Sequence, residues 1–156
     1  MKKLLLWAGA LLAVSIWTVS CDDDDDDKAV YPLVEAAKGI YTSALEISRD
    51  DGEPVLKNTE VSLVADGDDV EMHIQGFELD GTEMTLVLDD VNVSGNTEDV
   101  RLVFSDEVYV VGYGKVPGYM TGSVQVKNVL NAVLKLTLPT SYGRSAVVVN
   151  ITGNRK

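Results

Sequence analysis

The feature that most constrains this chain is a period-two alternation of apolar and polar residues, renewed segment after segment over residues 41–152. Val61, Leu63 and Ala65 alternate with Glu60, Ser62 and Val64, and Val70, Met72 and Ile74 with Glu71, His73 and Gln75. The pattern returns at 84–88, around Leu102 and Phe104, at Val124 and Val126, at 134–138 and at 147–151. Successive side chains of an extended chain point to opposite faces, so each segment is predicted to be a strand with one face buried.

The connectors are short and carry turn chemistry: Asp50, Asp51 and Gly52; Asp66 and Gly67; Asp80 and Gly81; Gly95 and Asn96. Aspartate followed by glycine supplies the positive backbone angles of a tight hairpin. Strands joined by hairpins are antiparallel neighbours, which predicts an all-β, up-and-down meander of about eight strands. Left open, such a sheet would expose two long edges, so it is expected to close into a barrel. The parity slips at Gly76, between Ile74 and Phe77, and at Asp89 and Asp90, between Leu88 and Val91, where bulges would bend the strands. Residues 108–118, VYVVGYGKVPG, fit either an extra strand or a long loop. Before the barrel domain, assigned to residues 39–154, lies a lead-in at 29–38 with Pro32 and a VEAAK stretch long enough for about one helical turn.

The N-terminus has a different grammar. Lys2 and Lys3 precede the apolar run LLLWAGALLAVSIW, a small-residue exit TVS and Cys21, the zones of a secretory signal. The apolar run falls short of the ~20 residues that cross a hydrocarbon core, so residues 1–20 read as a cleaved signal peptide. TVSC resembles the lipobox of bacterial lipoproteins, with Thr18 where that family usually carries leucine, and the resemblance implies a lipid on Cys21. Cys21 is the sole cysteine of the chain, so once acylated it leaves no thiol for a disulfide. The six aspartates that follow repel one another and bury nothing, so residues 21–28 form an acylated, extended tether. In some Gram-negative gut anaerobes such an acidic cluster resembles a surface-export signal, whereas in other Gram-negative groups aspartate after the cysteine resembles an inner-membrane retention signal. The expected location is the outer membrane, lipid-anchored, at the cell surface.

Charge narrows the partners. Without Lys2 and Lys3 the mature chain has 25 acidic and 11 basic residues, and the part from Lys28 onward still carries a net −8. That surface repels phosphate backbones, and nucleic acid is excluded as a partner.

Gly39, Ile40 and Tyr41 at the head of the first strand, GFEL at 76–79 and the terminal VVNITG together resemble the calycin-like, or lipocalin-like, barrel lipoproteins of Gram-negative gut bacteria. The resemblance spans roughly residues 37–154. True lipocalins place tryptophan where this chain has Tyr41. What the resemblance implies is an eight-stranded barrel whose mouth admits a small apolar or amphipathic ligand.

Catalysis is not expected. His73 is the single histidine and by alternation faces solvent beside Glu71 and Gln75. Asp66, Asp68, Asp69 and Glu71 are clustered, but a hairpin turn explains Asp66 and Gly67 without a metal. No phosphate-cradling or nucleophile-elbow motif is present, and no cofactor is expected. Alternation points Tyr41, Val61, Leu63, Met72, Ile74, Leu86, Leu134, Leu136 and Val149 inward. The candidate ligand-lining set is Tyr41, Met72 and Ile74 together with Tyr109, Tyr113 and Tyr119, the last three lying near four glycines in the ambiguous stretch. Two functions stay open: a membrane-anchored binder of a small hydrophobic ligand, or an interaction module with a filled barrel that docks an envelope protein. Small barrels of this type allow both.

Overall fold

The computed structural model describes residues 31–156; the signal peptide at 1–20, Cys21 and the acidic tether at 21–28 lie outside the described residues. A short helix, α1 (Tyr31–Ala37), leads into β1 (Gly39–Arg49), β2 (Val55–Asp66), β3 (Asp69–Leu79), β4 (Thr82–Asn96), β5 (Asp99–Val110), β6 (Gly114–Gln125), β7 (Val129–Thr140) and β8 (Gly143–Arg155). Each strand pairs antiparallel with its neighbours in sequence, and β8 returns to β1, so the eight-stranded meander closes into a barrel.

Turn chemistry sets the register of the β3–β4 hairpin as the sequence predicts, whereas Gly95 and Asn96, expected as a connector, end β4 and the turn follows at 97–98. Asp80 and Gly81 have φ of 52° and 79°, the two positive angles of a hairpin whose twist matches its strands. The bulges also fall where parity slips. The β3–β4 register shifts between Ile74 and Phe77, with Gly76 at φ 59°, and again opposite Val70 and Met72, with Asp90 at φ 57°. The ambiguous stretch is neither an extra strand nor a long loop. The β5–β6 ladder runs without a break from Asp99↔Gln125 to Val110↔Gly114, so residues 111–113 are a tight turn.

Every residue that alternation assigned inward, from Tyr41 through Val149, is buried in one continuous apolar cluster. Ala65 and Val126 are exceptions to the pattern: both are exposed, because each sits beside a hairpin tip beyond the cover of facing strands. Outward positions are mostly polar, for example Glu46, Arg101 and Lys135, with Val64, Val103, Tyr109, Tyr119 and Val133 exposed among them. A membrane-spanning barrel has the opposite arrangement, with an apolar band outside.

The even-numbered turns, β2–β3, β4–β5 and β6–β7, define one end, here the base, where β1 begins and β8 ends. In α1, Pro32 occupies the first turn, where its missing N–H is not needed, and Val34 and Ala37 are fully buried in the barrel cluster. Burying Val34 alone is worth about 1.5 kcal/mol. The Tyr41 hydroxyl donates to the carbonyl of Ala37 at 2.5 Å, and Arg155 donates to that hydroxyl at 2.8 Å and to the carbonyl of Ala36. A cation thus satisfies the helix C-terminus and the base is stoppered.

Candidate functional site

The other end, the mouth, carries the β1–β2, β3–β4, β5–β6 and β7–β8 turns. Arg49, at the end of β1, reaches across it. Its Nη1 donates to Asp80 Oδ1 at 2.7 Å, its Nε donates to Ser145 Oγ at 2.9 Å, and its Nη2 lies 3.4 Å from the Tyr113 hydroxyl. Tyr113 donates in turn to Asp80 Oδ2 at 2.5 Å. Asp50 accepts from the Ser145 hydroxyl and, at 2.8 Å, from the Ala146 N–H. One guanidinium therefore fastens parts of all four mouth hairpins together. The donors also act on the acids. The Tyr113 hydroxyl, then the charge of Arg49, hold the Asp80 carboxyl below the usual range, and Ser145 with the Ala146 N–H does the same for Asp50.

Beside this network a cleft of about 530 Å³ opens between β2 and the end of β3. Ile47 and Leu79 form an apolar floor, Arg49 and Asp80 one wall, and Leu56 and Lys57 the other. Val55 and Leu56 are 65% and 75% exposed, unusual for adjacent apolar residues on a strand. Lys57 bonds Glu83 at 2.7 Å and Glu78 at 3.4 Å, so both cations at the cleft already have acidic partners.

The candidate lining residues do not converge. Met72 and Ile74 lie in the middle of the interior, and Tyr41 is committed to the stopper at the base. Tyr113 is at the mouth, held by Asp80. Tyr109 and Tyr119 are corrections to the expected lining: they stand on the outer face, 64% and 48% exposed, because the unbroken β5–β6 register turns Val108, Val110, Val116 and Met120 inward and their neighbours outward. Arg49, Asp50, Asp80 and Ser145 were not singled out from sequence as site residues. Asp50 and Asp80 showed only as turn formers, and nothing local links residues 31 to 96 positions apart.

The interior is tightly filled at the places where glycine leaves room. A Cβ on Gly118 would lie 2.7 Å from Val108 Cγ2, and one on Gly153 would lie 2.2 Å from Ser43 Oγ. His73 is half-exposed on the outer face and paired with Glu71. Among the described residues, no group of three His, Cys, Asp or Glu side chains is placed to hold a metal ion. Asp69, in the acidic turn at the base, is pushed up by burial first and then by Asp68, Asp90 and Asp66.

No family model matches the chain, and no curated protein matches it. A solved structure from Bacteroides fragilis NCTC 9343, of a protein that carries a provisional outer-membrane-protein name, is similar with a TM-score of 0.54 and 15% identity. The match covers 80% of this chain and 53% of that one, so the chain spans about half the length of its structural neighbour. At this identity the likeness is one of fold, an antiparallel β-barrel.

Proposed function

We propose that this protein is a lipid-anchored, calycin-like barrel of the cell envelope that works as an interaction module, with a structural interior and a binding surface at the mouth. The observation that carries this reading is the continuous side-chain core, stoppered by Val34 and Ala37 at the base and fastened over by Arg49 at the mouth. A ligand inside would have to displace Met72, Ile74 and Leu86, each fully buried.

The charged residues spread over the outer face, Glu46, Arg101 and Lys135 among them, support anchoring beside a membrane rather than insertion across one. Cys21 is the attachment point, and the acidic tether precedes α1 in the chain. A binding role rather than catalysis fits a site in which every acid named at the mouth already accepts from a neighbour.

A second reading, a small amphipathic ligand, is favoured by the cleft itself. Its volume of about 530 Å³ falls within the ~300–1,000 Å³ of small-molecule sites, and its floor is apolar with charged walls. The anchor is tested by labelling with a clickable palmitate in cells expressing the wild type or Cys21→Ala, together with protease accessibility on intact cells. Label lost in the variant and a domain shaved from intact cells are expected; equal labelling refutes the anchor, and a protected domain refutes surface display.

A further inference from the structure

A closed barrel ordinarily has no free strand edges. This one has two places where edges face each other: between β4 and β5, whose ladder stops at Asn92↔Val103, and between β2 and β3, where the gap opens into the cleft already described. The β2–β3 ladder runs from Asp66↔Asp69 to Val61↔Ile74 and stops there. Toward the mouth β2 continues to pair with β1, down to Ile47↔Val55, and β3 continues to pair with β4, from Phe77↔Met84 to Leu79↔Thr82. Residues 55–59, and 77–79 beyond the bulge, therefore each keep one partner strand and have no ladder partner on the side that faces the other. The Gly76 bulge marks the point of divergence.

Side chains bridge the narrow part of the wedge: Thr59 Oγ1 donates to the carbonyl of Gln75, and Lys57 reaches Glu78 and Glu83. Mouthward of Lys57 the wedge widens into the cleft already described, with exposed Val55 and Leu56 on one wall and residues 78–80 on the other. Alternate N–H and C=O groups along each of these edges point into the space between them.

We propose that this cleft is a strand-addition site for an extended segment of a partner protein, and the proposal rests on the reading of the mouth as the binding surface. An extended backbone is the chemistry that answers two parallel rows of peptide groups; a small amphiphile would leave most of them unanswered. At ~3.3 Å per residue the widened part takes about three to four residues. Alternation in the incoming strand would set an apolar side chain on the floor made by Ile47 and Leu79, each 7% exposed, with its neighbours facing solvent. Those neighbours would meet a rim that carries three carboxylates, Glu53, Glu78 and Asp80, against two cations, Arg49 and Lys57, so the preferred segment has a basic residue beside the apolar one.

The test uses the full-length lipoprotein in detergent micelles, ¹⁵N-labelled, titrated with a six-residue peptide of alternating valine and lysine. Two companions are run: the same peptide with alternate backbone nitrogens methylated, and an alternating valine and glutamate peptide. The expected result is amide shifts and slowed hydrogen exchange confined to residues 55–59 and 75–80. Affinity should fall at least tenfold on N-methylation and severalfold with glutamate. Equal binding of the N-methylated peptide would overturn strand addition while leaving the mouth as a binding surface for amphipathic molecules. Concentration-dependent shifts of these amides without peptide would assign the cleft to a second copy and overturn the proposal, as would no response in this cleft. A response of the four mouth turns to none of the peptides, nor to a short-chain fatty acid probe, would reject the mouth reading itself.

Discussion

Arg155 lies directly across from Tyr41 in the β1–β8 ladder, with its guanidinium 5.4 Å from the centre of the tyrosine ring and one of its nitrogens 2.8 Å from the hydroxyl. This pair joins the last strand to the first at the base and, through the carbonyls of Ala36 and Ala37, secures α1. Arg155→Ala is predicted to cost about 2 kcal/mol in urea unfolding, from the cation–π contact and charge-assisted hydrogen bonds together. Arg155→Lys should recover less than half of that, because an ammonium lacks the planar fork. Tyr41→Phe should cost about 1 kcal/mol. Equal stability of Arg155→Ala and wild type would show that the stopper is not held by this pair.

The interior glycines test how full the barrel is. Gly153→Ala places a methyl against Ser43, and overpacking of this kind costs about 1–3 kcal/mol. Combining it with Ser43→Gly should restore a good part of the loss, since the two nearest atoms are then gone and only the Thr42 carbonyl oxygen at 3.2 Å remains close. A neutral Gly153→Ala, measured by thermal unfolding, would mean the interior has slack.

Acid should reach the mouth carboxylates after it reaches Asp69. Asp50 and Asp80 hold their protons less tightly when folded than when unfolded, so their contribution to stability is fully present above the ordinary carboxylate range and is lost as pH falls through their lowered folded values. Asp69 runs the other way: raised by burial and its acidic neighbours, it takes up a proton first as pH falls, and that uptake favours the folded state. Carbon-detected NMR titration should therefore show Asp69 titrating first and Asp80 and Asp50 last, with Tyr113 and Ser145 signals moving only with the latter pair. Coincident midpoints for all three would contradict the network.

Much of the fold was legible because a strand's period is two and its parity is unforgiving. Met72, Leu86 and Leu134 point inward as alternation requires, and the slips at Gly76 and at Asp89 and Asp90 mark real bulges. The end of β2 nearest the mouth was harder to read. Residues 55–59 lack alternating burial because their outer edge faces the cleft rather than another strand. The tyrosines misled for a related reason: aromatic residues near glycines suggest a mouth, but the turn at 111–113 fixes which of them face out, and only Tyr113 reaches the site. The network around Arg49 was beyond local reading, since its members come from separate hairpins and are joined only by barrel closure.

Gly76 should be the most sensitive bulge position. At φ 59° an L side chain is strained, although a Cβ there would sit at an ordinary 3.4 Å from Thr59 Oγ1. The cost is therefore conformational: about 1–2 kcal/mol for Gly76→Val, and less for Gly76→Asn, since asparagine visits this region more readily. Chemical denaturation of the two variants checks the order, and equal losses would point to crowding instead of backbone strain.

The most direct test of a structural interior is a crystal of the protein pressurised with xenon, which enters dry apolar cavities. The prediction is no xenon and no lipid-like density between Met72, Leu86 and Leu134, with any bound atom confined to the cleft floored by Ile47 and Leu79. Xenon or an elongated ligand density along the barrel axis would contradict the filled core and return the interior to the role of a binding cavity.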